Sequence, residues 1–498
     1  MVNDLAALMH GFEVALTLHH IVLMFAGVLI GILVGVLPGL GAPNGVALLL
    51  PLTFAMQPVS AIILLSSMYW GALFGGSTTS ILFNIPGEPS SVATTFDGHP
   101  MARQGRAAEA LSTAFLSAGF GAMVGVVVVT LIANEIASFA LRFSPAEYFA
   151  VYFLAFAAFI GMGGTDPLKT AVSLLIGLSL AAVGMDTVSG EMRLTFGTDA
   201  LVKGISFLVA VIGLFGIGEL LTTVDEGLHA DAVDGRIGLR DVWRTLLGMP
   251  RHWVALIRST AIGVWMGITP GGPTAASFMA YGVARRVSRN RARFGTGEPE
   301  GVVSPEAADH SAGVSALLPM LALGVPGSAT AAVMMGGLMI WGLQPGPMLF
   351  QERPDFVWGL IASIYVANIV ALVTVLSTIP IFAGIMRLPF ALLAPLILTI
   401  CLTGAWMVSG SGFDVAMACG FGLLGYGMKK LDYPIAPLVL AMVLGDKAED
   451  AFRQSMLMSQ GALSIFWANG LVASLMGLAL FFLALPFLQR LFSRSNAA

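Results

Sequence analysis

Pro38-Gly39, Pro86-Gly87, Pro270-Gly271 and Pro326-Gly327 each interrupt an apolar run. Proline removes a backbone donor, and glycine tolerates left-handed backbone, so a helix breaks at such a pair. A broken helix exposes unpaired main-chain groups. Its new N-terminus carries roughly half a positive charge and suits an anion. The half-helices starting after Pro86-Gly87 and Pro326-Gly327 would present two such ends. The carbonyls closing the preceding arms, around Asn84, Ile85, Gly324 and Val325, suit a cation.

The surrounding side chains narrow the chemistry. No Asp, Glu, Lys or Arg occurs from Val14 to Gly87, from Ser259 to Ala284, or from Ser311 to Gln351. A site formed where these breaks converge is expected to use backbone, hydroxyls and amides. The groups on offer are Gly39, Asn44, Ser77, Thr78, Thr79, Ser80, Asn84, Gly87, Ser90, Ser91, Gly271, Thr274, Ser277, Gly327, Ser328 and Thr330. An anion held by dipoles without arginine is incompletely neutralised at low dielectric. A co-bound Na⁺ or H⁺ is therefore expected to supply the missing charge, and transport indifferent to both gradients would exclude this. Glu88 follows Pro86 in the first turn, where it either caps the helix or titrates as a coupling group.

Composition says what must position these groups. The chain has 498 residues, 57% hydrophobic and only 10% charged, with 59 Gly and 26 Met. Mean hydropathy is +0.88. Soluble domains carry roughly 25% charged residues. A soluble enzyme, a disordered chain and a nucleic-acid binder are thereby excluded, and a polytopic membrane protein is indicated. The net charge of −4 implies no partner. Cys401 and Cys419 lie in apolar stretches and suggest neither a disulfide framework nor a zinc site. No basic region precedes the first apolar run, so that segment is expected to stay attached.

A bilayer crossing takes about 20 apolar residues. Apolar segments lie near 21–37, 44–55, 59–85, 110–133, 146–163, 168–184 and 204–221. A second set lies near 254–269, 274–284, 311–325, 328–343, 356–386, 388–408, 412–428, 433–445 and 463–489. Counting short ones as half-crossings gives an all-α protein of roughly 12 transmembrane helices with broken elements. The polar stretch 222–258 divides the chain. Within it, 239–247 predicts a short amphipathic helix with Leu239, Val242, Trp243 and Leu246 on one face. Its arginines, and Arg285, Arg286, Arg289, Arg291 and Arg293, belong on the cytoplasmic side. The intervening residues 259–284 are too few for two crossings, so they predict a re-entrant hairpin broken at Pro270-Gly271.

The two halves echo each other. GILVGVLPG at 31–39 matches GVWMGITPG at 263–271, an offset of 232. LFNIPGEPSSVAT at 82–94 matches LALGVPGSATAAV at 321–333, with their Pro-Gly pairs offset by 240. Paired Gly/Pro-interrupted segments point to a transporter's binding site. The expected organisation is a membrane repeat over 1–221, a cytoplasmic amphipathic linker over 222–258 and a second repeat over 259–498. The basic flanks of only the second hairpin favour an inverted relation. An intramembrane enzyme would need a nucleophile with its base or a metal cluster at depth. No Gly-Lys-Ser/Thr loop or His-Glu-xx-His motif occurs. The seven histidines are scattered, and none is read as lying deep in an apolar run with a partner. Ser409-Gly410-Ser411-Gly412 reads as a loop between helices. No catalytic residue or resident metal is expected. A scaffold that only anchors a binding protein is the remaining alternative.

At these residues the chain resembles the large permease subunit of the tripartite tricarboxylate transporters, the TctA family. The stretch GALFGGSTTSILFNIPGEPSSVATTFDGHPMARQGRAAEAL (71–111) carries most of the resemblance. GMDTVSGEMRLTFG (184–197), SPEAADHSAGVSALLPMLALGVPGSAT (304–330), YPIAPLVLAMVLG (433–445) and RQSMLMSQGALSIF (453–466) add to it. The chain departs from the family pattern at Asp309 and His310, where two Asn are usual. It also departs at Gly445-Asp446-Lys447, in place of a Gly-Pro turn, and at Ala462, in place of Asp. The resemblance implies a bacterial cytoplasmic-membrane permease importing citrate-like or other organic-acid anions by symport. It also implies a small four-helix membrane subunit and a periplasmic binding protein that delivers substrate. An elevator-like motion with re-entrant hairpins is implied as well. Carried over, the site candidates are Pro38 to Asn44, Ser77 to Ser80, Asn84 to Ser91, Pro270 to Thr274 and Pro326 to Thr330.

Overall fold

The computed structural model describes residues 2–37, 40–162, 166–186, 189–226, 238–269, 272–385 and 390–495. Pro38, Gly39, Pro270 and Gly271 lie outside the described residues, so two of the four predicted breaks are seen only by their flanks. The protein is all-α. Among the described residues the only sheet is a two-residue antiparallel pair, Gly184–Met185 with Met192–Arg193.

Among the described residues, five helices are long and apolar enough to cross a membrane, within Leu18–Val36, Pro58–Phe83, Pro89–Ala140, Phe207–Asp225 and Pro354–Thr378. Shorter apolar helices include Pro145–Gly161, Pro167–Ala181, Ala329–Ile340, Ala394–Ser409 and Gly470–Pro486. This is a multi-pass membrane protein. An unpredicted N-terminal helix, Val2–Ala15, packs against Pro354–Ile385.

Pro58–Phe83 is buried on nearly every side, as an apolar helix without a polar face must be. Its partner is Leu18–Val36, and small residues let the two backbones touch. A Cβ on Gly31 would lie 2.1 Å from the Met68 carbonyl, and one on Gly35 only 2.0 Å from that of Ala72. In lipid such close backbone approach supplies the packing that water would otherwise drive. The second half repeats the contact. A Cβ on Gly263 would lie 2.3 Å from the Ala308 carbonyl, and one on Gly267 would lie 2.4 Å from that of Ala312.

Helices Trp253–Ile268 and Gly272–Val287 flank the second expected hairpin tip and pack together. Both lie against Glu300–Ser315, buried from Gly301 to Ser315. The sequence reading began this segment near 311, and the structure corrects it to Glu300. Glu306, Asp309 and His310 face other helices, not lipid, so hydropathy counts as polar a segment that is interior.

The amphipathic helix is observed at Leu239–Gly248 and packs on the start of Ala107–Ala140. With Arg106, Glu109, Arg251 and His252 it borders a cavity of about 600 Å³. Residues 227–237 of the linker lie outside the described residues. The Ser409–Gly412 loop joins two helices as expected. The departure at 445–447 makes no turn, because helix Ile435–Met458 runs straight through it. That helix also holds the 184–206 loop. Arg453 bonds Asp186 at 2.8 Å, and Arg193 bonds Glu449 at 2.7 Å. The Glu449 carboxylate holds the Arg193 guanidinium above its ordinary pKa.

Candidate functional site

Each half contains one described break, and the two are built alike. Pro58–Phe83 ends at Asn84, a left-handed cap with φ of 56°. Helix Leu317–Leu323 ends at Gly324, also left-handed, with φ of 69°. Such caps satisfy carbonyls at a helix end, and Asn and Gly are the residues that accept this backbone. Extended chain follows in both. Glu88 and Ser328 then take the N-cap positions of Pro89–Ser91 and Ala329–Ile340. Asn84 and Gly324, Gly87 and Gly327, and Glu88 and Ser328 are each 240 residues apart, the offset seen in the sequence.

The glycine of each break touches the helix before the other break of its half. A Cβ on Gly87 would lie 1.9 Å from the Gly35 carbonyl, and one on Gly327 would lie 2.5 Å from that of Gly267. The Glu88 Oε1 accepts a 2.6 Å hydrogen bond from the Ala42 N–H, in the first turn of Gly41–Leu49. Glu88 therefore caps the half-helix after Pro38-Gly39, across space as well as along the chain. In the second half Gly272 takes the matching place, where a Cβ would lie 3.1 Å from Ser328 Cβ. The Ser328 Oγ itself accepts from the Ala331 N–H at 3.1 Å.

The two halves meet across Tyr69. This side chain is buried and stacked on Trp70 with ring centroids 4.8 Å apart. Its hydroxyl is turned toward Ser328 and Thr330, without closing a hydrogen bond. Ser90 is turned in the same way toward Asp309. Tyr69, Ser90, Ser328 and Thr330 thus draw the Pro86-Gly87 and Pro326-Gly327 breaks into one buried region.

The remaining predicted residues divide. Ser77 donates to Glu306 Oε2 at 2.8 Å. Thr78 and Thr79 donate to their own helix, at the carbonyls of Phe74 and Gly76, both at 3.0 Å. Ser80 donates to Ser91 Oγ at 2.9 Å, and Ser91 to the Glu88 carbonyl at 2.9 Å. These hydroxyls are engaged in holding the break. Asn44 is buried in Gly41–Leu49. Thr274 is half-buried in the first turn of Gly272–Val287, with the buried Ser277 one turn on. Ser90 and Ser277 hold hydroxyls without a protein partner. Ile85 and Val325 follow the left-handed caps and contribute only backbone to the breaks.

Carboxylates stand beside this region, against the expectation of a site made only of backbone, hydroxyls and amides. Glu88 lies in the first break. Glu306 and Asp309 come from Glu300–Ser315, both buried. Glu306 accepts from Ser77 and, at 2.5 Å, from Thr94. The expectation that no histidine lies deep with a partner is also overturned. His310 is buried, 3.9 Å from both Glu306 and Asp309, and its ring lies 4.5 Å from that of Phe74. Glu306, Asp309 and His310 stand at i, i+3 and i+4, one face of a helix. That spacing, in a chain so poor in charge, was the signal available. Tyr69 and Trp70 gave none, being aromatic residues in an apolar run.

A further carboxylate ties the halves together. Asp97 Oδ1 accepts from the N–H groups of Gly295, Gly297 and Glu298 at 2.8, 2.9 and 2.9 Å. Its Oδ2 accepts from the Tyr281 hydroxyl at 3.0 Å.

The family model described as "Tripartite tricarboxylate transporter TctA family" matches residues 21–440. An Agrobacterium vitis protein, "Uncharacterized 52.8 kDa protein in TAR-I ttuC' 3'region", is 36% identical over 481 residues, covering 96% of this chain and 95% of the relative. A second, "Uncharacterized protein in TAR-II ttuC' 3'region" from the same organism, is 34% identical over 235 residues, 47% of this chain and 97% of that protein. No solved structure matches.

Proposed function

The chain belongs to the tripartite tricarboxylate transporter TctA family, and on that premise we propose that it is the permease of a secondary active importer of organic-acid anions. It is a transporter subunit and not an enzyme. The substrate is a citrate-like tri- or dicarboxylate or a related organic acid, driven inward by a Na⁺ or H⁺ gradient. A small four-helix subunit accompanies it, a periplasmic binding protein delivers the anion, and the assembly sits in the bacterial cytoplasmic membrane.

The observation that carries this reading is the pair of like-built breaks meeting across Tyr69. Each ends one helix in a left-handed cap and starts another whose N-terminus faces a shared buried region. The positive ends of these helices attract an anion, and the preceding carbonyls attract its counter-ion. The 240-residue spacing of the caps and the matched glycine contacts support two structural repeats, over 1–221 and 259–498, joined by the linker at 222–258. Their inverted relation, a hairpin tip at mid-membrane and an elevator-like movement of the site complete the proposal. Gly39 and Gly271 would contribute backbone from the other breaks.

The test is uptake into proteoliposomes containing the permease and its partners, using labelled citrate, succinate and terephthalate under Na⁺ or H⁺ gradients. Concentrative uptake of at least one acid is expected, and none under either gradient would overturn the proposal. Ser90→Leu and Ser328→Leu are each expected to cut that uptake at least tenfold while membrane insertion persists. Normal uptake by both would remove those positions from the site. Ser328→Leu also loses an N-cap, worth about 1 kcal/mol, so its melting temperature is read alongside.

A further inference from the structure

We propose that Asp309 and His310, with Glu306 one turn behind, form the site that carries a co-transported proton. The inference rests on the transport reading above and adds to it the identity of the ion and the residues that hold it.

The geometry sets these groups apart from other buried polar residues. Glu306 is satisfied by Ser77 and Thr94. Neither oxygen of Asp309 and neither ring nitrogen of His310 closes a hydrogen bond, although the Ser90 hydroxyl is turned toward Asp309 and the Glu306 backbone stands near the His310 ring. Their side chains are 2% and 1% exposed, so neither group is solvated from outside. His310 Nδ1 stands 3.9 Å from Asp309 Oδ2 and 3.9 Å from Glu306 Oε2. That is too long for a hydrogen bond but close enough for strong attraction once the ring is charged. A carboxylate buried with no closed hydrogen bond is costly, and one added proton relieves that cost.

Beyond the Ser90 hydroxyl turned toward Asp309, the neighbours are committed elsewhere or carry negative charge. Tyr69 faces the cluster from Pro58–Phe83, and Glu88 from the first break. Asp97, from Val92–Met101, is held by the 295–298 loop and by Tyr281 of Gly272–Val287. Arg258, on Trp253–Ile268, is paired with Glu300 at 2.9 Å. Arg106, at the start of Ala107–Ala140, is paired with Glu109 at 2.8 Å. Among the described residues no Lys or Arg is paired with Glu306, Asp309 or His310. Among the described residues, Glu306, Asp309 and His310 do not converge closely enough to form a metal-binding group. A proton needs only one lone pair, which Asp309 or His310 can offer.

Position couples the proton to the substrate. Asp309 lies beside Ser90 and near Tyr69, which face the meeting of the two breaks. An anion bound there is repelled by an ionised Asp309 and accepted beside a protonated pair. Each ligand therefore raises the affinity for the other by the same factor. The proton adds to a lone pair of Asp309 or His310 from the outer medium. It leaves from the same atom on the cytoplasmic side once the anion has gone.

The test compares gradient-driven uptake with counterflow exchange in proteoliposomes holding the complete transporter, using the acid that wild type carries best. Pyranine inside the vesicles reads proton entry. For wild type, an inward H⁺ gradient without Na⁺ should drive uptake, and anion entry should acidify the lumen. In Asp309→Asn and His310→Gln the ratio of H⁺-driven uptake to exchange should fall at least tenfold. Asp309→Glu should restore it with a displaced pH profile. Wild-type ratios in Asp309→Asn, or drive by Na⁺ alone in wild type, would overturn the inference while leaving the transport reading intact. So would loss of exchange in all three variants, which would mark these residues as structural. Absence of exchange in wild type, by contrast, would count against the transport reading itself.

Discussion

Gly87→Ala is expected to lower uptake by roughly two orders of magnitude. The added Cβ would lie 1.9 Å from the Gly35 carbonyl and 2.8 Å from both Gly76 Cα and Thr79 Oγ1. Two of these are backbone, which cannot rotate away. The break must therefore retreat from Leu18–Val36 by more than 1 Å to reach ordinary van der Waals separation. Overpacking of this kind costs about 1–3 kcal/mol. The larger consequence is positional, because misplacing a preorganised group by about 1 Å can cost 100-fold in rate. Gly327→Ala, whose Cβ would lie 2.5 Å from the Gly267 carbonyl, should act in the same direction with a smaller effect. Gly282→Ala is the control, since nothing lies within 4 Å of its Cβ. Labelled-anion uptake per inserted molecule checks all three. Wild-type uptake by Gly87→Ala would show that the break does not shape the site.

Asp97→Ala is expected to cost about 4 kcal/mol or more, a large fraction of the 5–15 kcal/mol that holds a typical domain. Removing the carboxylate leaves the N–H groups of Gly295, Gly297 and Glu298 and the Tyr281 hydroxyl without their acceptor. Each buried donor left unsatisfied costs about 1–3 kcal/mol. Asp97→Asn keeps one carbonyl oxygen for the three N–H groups and should lose about half as much. Gly301→Ala should behave like the alanine variant for a steric reason, as its Cβ would lie 2.1 Å from Asp97 Oδ2. Thermal unfolding in detergent, followed by tryptophan fluorescence, orders these variants. Equal melting temperatures for wild type and Asp97→Ala would show that the loop is held by other means.

Asp97 and Glu306 illustrate what a linear reading misses. Asp97 acts on residues that lie beyond the linker, and Glu306 accepts from Ser77 and Thr94 of the other half. In sequence Asp97 lies between two apolar runs and Glu306 just before one, and neither stands out among polar residues. Glu88, expected either to cap a helix or to titrate as a coupling group, is seen capping. The sequence still did not show that the helix it caps would be the one beginning at Gly41, on the far side of a long helix.

Local chemistry alone determined that this chain is helical, that it spans a membrane and that, among the described residues, its arms break at Pro86-Gly87 and Pro326-Gly327. Lipid fixes the length of an apolar helix, and the pyrrolidine ring or a missing Cβ acts on its own residue wherever the chain goes. The matched order of breaks was legible for the same reason. Only the tertiary structure decided that Tyr69 would join the two halves and that Asp309 and His310 would sit beside them. Whether a charged residue faces water or the inside of a bundle depends on which helices cover it, and that follows from packing of the whole chain. Hydropathy averages over a segment and cannot see which face is covered.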